Sequence, residues 1–290
     1  MSRGRFAVDV LAGWLLALGT VYAAHTLLPA AFDVDDLGQR LTGCPTRGDG
    51  VSAALAAAGL GPDARSPIAG CASAASLVLP RVPWSLLPFL IACAITVPLA
   101  SAFGAVGAAR RGSLVDLALT AFVILLHAVP GVAVALFVQS GVRALGLPGV
   151  GAGTLGGRGA GASLVGPTLT LTCGLLPGLT RLARAGWREA LGQGWWSTAR
   201  DEGRATFALA LRFGTPIALH APIQQLAWAA PRWIVGAAVV ETVFGWPGVG
   251  GLLAKHAAAG DGPVVAFGVT LAAAIALTIG LVSPPPAGRR

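Results

Sequence analysis

Long apolar runs separated by short polar clusters organise this chain. The runs, about Val10 to Leu28, Leu86 to Ala108, Leu117 to Val138, Leu164 to Leu182, Thr215 to Val240 and Val264 to Val282, each come to about the 20 residues that a helix needs to cross roughly 30 Å of hydrocarbon. The pattern therefore predicts an all-α membrane protein with six transmembrane helices. Arg3 and Arg5 ahead of the first run, and the small residues around Val21-Tyr22-Ala23, also resemble a signal peptide. That run is long for a signal peptide's apolar core, and further spans follow, so retention as a helix is expected. Prolines inside the runs (Pro98, Pro130, Pro177, Pro216, Pro222 and Pro231) predict a bundle with kinks, because neighbours can satisfy the carbonyls that proline leaves without a donor. The fifth run holds Pro216, Pro222 and Pro231 and is expected to bend or open beside a path.

Composition agrees with the pattern. Apolar residues make up 55% of the 290 positions and charged residues only 11%, against about 25 to 35% on the surface of a soluble domain. The formal charge of +8 does not read as a nucleic-acid surface, because its arginines cluster between apolar runs. Arg3 and Arg5, Arg110 and Arg111, the arginines from Arg181 to Arg212, and Arg289 and Arg290 all fall on one side of a six-span path. By the positive-inside rule that side is the cytoplasm, and both termini lie there. Residues 29–82, about 139–163 and 241–263 are then left outside. The first of these holds Asp33, Asp35, Asp36, Asp49 and Asp63, and its length suits a small cap on a single membrane domain spanning residues 1–290.

Sites for bond chemistry are not apparent. Gly151-Ala152-Gly153-Thr154-Leu155-Gly156 spells a dinucleotide fingerprint, yet no buried strand precedes it and no amphipathic helix follows. The one lysine, Lys255, precedes His256 rather than the Ser or Thr of a phosphate-cradling loop. His25, His127, His220 and His256 lack zinc-ligand spacing, so neither a catalytic residue nor a metal is expected. Cys93 and Cys173 sit in apolar runs as small hydrophobes. Cys44 and Cys71 occupy the long outer segment, where a disulfide and two separate thiols both fit.

The stretch Arg181 to Arg212 interrupts the apolar pattern on the cytoplasmic side. In it, Ser197-Thr198-Ala199-Arg200-Asp201-Glu202-Gly203 has the spacing of a capping box, Thr198 with Asp201, with acids near a helix start and a glycine to end it. A short helix across the membrane face and an ordinary solvated loop both fit. Together with Arg181-Leu182-Ala183-Arg184, Glu241-Thr242-Val243-Phe244-Gly245-Trp246-Pro247-Gly248-Val249-Gly250 and Asp261-Gly262-Pro263-Val264-Val265, this segment resembles the permease subunits of binding-protein-dependent ABC importers, in the dipeptide, oligopeptide and nickel branch. Arg110-Arg111-Gly112-Ser113-Leu114-Val115-Asp116 and Val129-Pro130 extend the likeness upstream. Ser197 and Thr198 depart from the Glu-Ala opening of the generic motif.

The resemblance implies a type I importer permease fold that forms half of a pore in the bacterial cytoplasmic (inner) membrane. A second permease subunit, ATPase subunits and an extracytoplasmic binding protein that delivers a peptide-like solute would complete it. No cofactor is expected on this chain, since ATP and magnesium would be held by the partner subunits. Residues 183–214 would form the coupling loop (the EAA loop), with Thr198, Ala199, Arg200, Asp201, Glu202 and Gly203 docking on the ATPase. Glu241, Phe244, Trp246, Pro247 and Gly248 would form an external motif, with Trp246, like Trp228 and Trp233, read as an interfacial anchor. Arg232, charged at membrane depth, either lines a hydrated path with Gln224 and Gln225 or serves structure, by reaching the surface or pairing with Glu241. The alternative function is a secondary transporter or channel without ATPase partners, which would need intramembrane carboxylates or inverted repeats that the sequence does not display.

Overall fold

A computed structural model describes Cys44 and residues 64–146, 163–203 and 209–282, leaving out the side chains of 200, 227–235, 276–277 and 279–282. The first run, the glycine-rich loop at 151–156, the end of the chain and the side chain of Arg232 therefore lie outside the described residues. In chain order the elements are β1 (Arg65–Ser66), β2 (Ala72–Ser73), α1 (Ala74–Val78), a 3-10 turn (Leu79–Arg81), α2 (Val82–Ala109), α3 (Leu114–Ala128), α4 (Gly131–Ala144), α5 (Val165–Leu191), α6 (Gly194–Asp201), a π turn (Ala210–Gly214), α7 (Thr215–Phe244), α8 (Val249–Ala258) and α9 (Gly262–Val282). They fall into two compact units, residues 83–251 and the described parts of 1–82 with 252–290.

The larger unit is built on α5, which packs on α7, α4 and α3. Leu171, Leu175, Leu176 and Leu179 recur at helical spacing on α5 and meet Ala92 and Ala100 of α2, Ala135 of α4, and Val240 and Phe244 of α7. Small residues set the separations. A Cβ on Gly186 would lie 2.7 Å from the Ala218 Cα, and one on Gly104 would lie 2.7 Å from the Arg184 backbone nitrogen, so bare backbone lets α5 approach both α7 and α2. Trp187 closes the end of this core, donating from its indole nitrogen to the Ser101 hydroxyl at 3.2 Å and covering Gly214.

The smaller unit carries an antiparallel two-strand pairing, Arg65 with Ser73 and Ser66 with Ala72. A disulfide joins Cys44 to Cys71 beside it. Ser66 donates to the buried Asp261 carboxylate, which His256 Nδ1 also meets at 2.8 Å, and α1 and β1 pack on α9.

Two features differ from the hydropathy pattern. The run Leu117 to Val138 is not one rod. It divides into α3 and α4, which meet at 99°, because Pro130 has no N–H for the helix and its ring excludes helical backbone at the preceding residue. The proline-rich fifth run instead forms a single helix, α7, with Pro216 in its first turn, where no N–H is missed. Among the described residues one helical run, Ala74–Ala109, is long and apolar enough to cross a membrane, or up to three if each sharply bent pair counts as one.

Candidate functional site

The string Glu241 to Gly250, which closes α7 and opens α8, folds into a tight staple. Gly245 takes a left-handed conformation (φ 65°) and ends α7, with the Trp246 N–H returning to the Glu241 carbonyl at 2.8 Å. The chain then turns by 86° between residues 236–244 of α7 and α8. The Glu241 side chain, 3% exposed, reaches under the turn to the start of α8. One carboxylate oxygen accepts from the Ser85 hydroxyl and the other from the Gly251 N–H, each at 2.7 Å. Ser85 in turn accepts from the Val249 N–H at 2.7 Å. The first N–H groups of a helix lack internal partners and carry partial positive charge, so a carboxylate here both satisfies donors and opposes the dipole. Gly248 makes room for it, since a Cβ at that position would lie 2.2 Å from the Glu241 carboxyl carbon.

The same geometry corrects the reading of Trp246. This indole is 3% exposed and donates to the Trp84 carbonyl at 2.7 Å, with the Trp84 ring edge-on at 6.0 Å. It is a packing residue of the staple and no interfacial anchor. Phe244 seats its ring on Gly166 of α5, and Gln139 of α4 donates to the Val243 carbonyl at 2.7 Å.

A second polar joint lies at the other end of α5. Arg184 pairs with Asp116 at the start of α3 and donates to the Thr120 hydroxyl. The other Asp116 oxygen takes the Gly112 N–H at 3.2 Å, while Ser113 caps α3 by accepting from the Asp116 N–H at 3.3 Å. Gly107 of α2 leaves space for both charged side chains. This pair was not foreseen from the sequence, although Ser113-x-x-Asp116 immediately before an apolar run is a helix-start signal.

Beyond α5, the short helix α6 spans Gly194–Asp201. Thr198 lies inside it, its hydroxyl donating back to the Gly194 carbonyl at 3.0 Å, so the capping box expected from Thr198 and Asp201 does not form. Asp201 stands instead at the last turn. Gly203 does end the segment, in a left-handed conformation (φ 66°), with the Glu202 N–H on the Thr198 carbonyl at 3.0 Å. Ala199 is buried, while Ser197, Thr198, Asp201, Glu202 and Gly203 are exposed. Trp195 anchors the helix inwards, 5.8 Å from the Phe213 ring. On α7, Gln224 is buried, 3.4 Å from the His220 ring, and Gln225 is exposed, so these neighbours do not share one lining. No cluster able to hold a metal occurs among the described residues.

Comparison with known proteins matches residues 97–284 to the binding-protein-dependent transport system inner membrane component family. The chain belongs to this family. It is 28% identical over 210 residues to the oligopeptide transport system permease protein AppB of Bacillus subtilis, an alignment covering 70% of this chain and 66% of AppB. It is 30% identical over 197 residues to the oligopeptide permease protein OppB of Mycobacterium tuberculosis, covering 62% and 60% of the two chains. The glutathione transport system permease protein GsiC of Escherichia coli is 29% identical over 116 residues, 40% of this chain and 38% of GsiC. The chain thus spans less than two thirds of the length of these relatives. Membership makes this a membrane component of a binding-protein-dependent transport system, and the matched residues include the Asp116–Arg184 joint, α6 and the turn from α7 into α8.

Proposed function

We propose that this chain is the pore-forming permease of an ABC importer for peptides, with six spans, both termini in the cytoplasm of a bacterium and the membrane segments in its inner membrane. A second permease subunit completes the pore. Separate ATPase subunits hold ATP and magnesium and perform the hydrolysis, and a binding protein delivers the peptide outside. The observation that carries this reading is α6, a short helix displayed beyond the long α5 with Thr198 and Asp201 exposed on it, Glu202 exposed just after it, and Ala199 and Trp195 turned inwards. A permease without a nucleotide loop of its own requires a mechanical contact with the ATPase, since ATP can shift the pore between states only by differing contacts in each. The exposed carboxylates suit charge-assisted hydrogen bonds to that partner. Relatives named as oligopeptide and glutathione permeases support a peptide cargo. The positive-inside pattern supports α6 on the cytoplasmic face and the Cys44–Cys71 disulfide on the oxidising outer one.

The test is Gly203→Val in the complete importer reconstituted in proteoliposomes. A β-branched residue at φ 66° costs about 1 to 2 kcal/mol and redirects the chain leaving α6. Among the described residues beyond its chain neighbours, none lies within 4 Å of a Cβ at that position, so the described bundle is spared. ATP hydrolysis stimulated by loaded binding protein should fall at least tenfold while the subunits remain associated. Hydrolysis at the wild-type level would count against docking at α6.

A further inference from the structure

A cleft of about 180 Å³ opens where α3 breaks from α4 against α5, lined by Leu126, His127, Val129, Val134, Thr170 and Cys173 with Gly131, Gly174 and Pro177. Its polar side chains are few: His127, the Cys173 thiol and Thr170, whose hydroxyl is already given to the Gly166 carbonyl. His127 is exposed in the midst of the apolar run Leu117 to Val138, and no partner among the described residues holds its ring. A titratable side chain is costly against lipid tails, so an exposed imidazole at that depth faces water or protein. Backbone acceptors add to it. Pro177, inside α5, has no N–H to give to the Cys173 carbonyl four residues earlier, and the Leu126 carbonyl falls in the last turn of α3, where no helical donor follows; both of these residues line the cleft. Apolar walls with a few hydrogen-bonding groups describe a ligand site rather than a packing flaw.

Size narrows the occupant. The cleft is smaller than the roughly 300 to 1,000 Å³ of pockets that enclose a whole small ligand. It is close to a cavity of about 150 Å³ that admits benzene. A lipid tail would leave His127 and the freed carbonyls unmatched, whereas a peptide brings an apolar side chain together with its own N–H and C=O. We infer that this cleft is a subsite of the transport path that takes one Leu- or Phe-sized side chain of the peptide, with His127 hydrogen-bonding to the adjoining amide. The inference rests on the importer reading above and adds to it a preference for peptides with a bulky apolar residue.

Gly131 offers the test, because among the described residues a Cβ there meets nothing within 4 Å and a larger side chain can grow into the space. In the reconstituted importer, with binding protein saturated by each peptide, Gly131→Leu should lower the ratio of Ala-Phe-Ala uptake to trialanine uptake about tenfold. An unchanged ratio would overturn the subsite, whether both rates hold or both fall. A direct reading comes from Cys173 in a Cys93→Ser background, where it is the one free thiol beside the Cys44–Cys71 disulfide. Ala-Phe-Ala should slow its alkylation by N-ethylmaleimide at least threefold and trialanine should not. Equal rates with the two peptides would also overturn the subsite. Wild-type uptake of both peptides driven by ATP keeps these failures separate from failure of the importer reading, which would appear as no ATP-driven uptake of either.

Discussion

Glu241 shows how a single carboxylate can fix a turn. Its two oxygens are occupied by Ser85 and by the Gly251 N–H, and hydrogen bonds to a charged group contribute about 1.5 to 3 kcal/mol each. Glu241→Ala should therefore lower the stability of the purified permease by about 3 kcal/mol, read as the thermal unfolding midpoint in detergent. Gly248→Ala should do comparable harm by pushing a methyl group into the same carboxylate. Midpoints equal to wild type for both would refute the staple. At this scale the sequence was legible as spelling but not as partnership. The Glu241 to Gly250 string stood out, yet its reason, a carboxylate from one helix end satisfying the next helix start, joins residues to Ser85 that are 156 positions away. The capping spacing likewise misleads at Thr198 and Asp201, where Gly203 soon ends the segment, while at Ser113 and Asp116, followed by an apolar run, the cap forms.

Among the described elements, α5 has α2, α3, α4 and α7 all set against it. Its crossing with α7 depends on Gly186, whose Cβ position is 2.7 Å from the Ala218 backbone. Gly186→Val should destabilise by about 1 to 3 kcal/mol through overpacking, seen as reduced yield of folded protein and a lower unfolding midpoint. Wild-type behaviour would mean the helices are not in contact there. The joint at the far end of α5 makes a separate prediction. Asp116→Ala leaves Arg184 charged, largely buried and without its carboxylate, a loss of about 3 to 5 kcal/mol. Exchanging the two, Asp116→Arg with Arg184→Asp, should recover part of it, and a double variant no better than the single one would contradict a paired role. Hydropathy located these helices well: Leu86 to Ala108 lies within α2, and Thr215 to Val240 within α7. It missed the break at Pro130 because a proline in an apolar run reads alike whether neighbours hold the helix together, as along α7, or backbone geometry splits it, as between α3 and α4.

For the whole molecule, the sequence speaks through charge placement and family likeness more than through packing. Under the proposed topology, clustered arginines at the ends of apolar runs put residues 29–82 outside, where the Cys44–Cys71 bond is chemically reasonable. Closing a loop of 27 residues contributes about 3 kcal/mol, so, with the segment outside as proposed, Cys44→Ser with Cys71→Ser should make it more sensitive to protease added to intact cells stripped of their outer barriers. Equal digestion would remove the disulfide from the account. The central claim, that an ATPase acts on this permease through α6, is tested most directly by Thr198→Cys, a substitution at an exposed position of that helix. In membranes holding the full importer, a bifunctional thiol cross-linker should join this cysteine to a cysteine in the ATPase groove, with a yield that changes when ATP is bound. Labelling of the same cysteine by an impermeant maleimide from outside intact cells, with no cross-link formed, would contradict it.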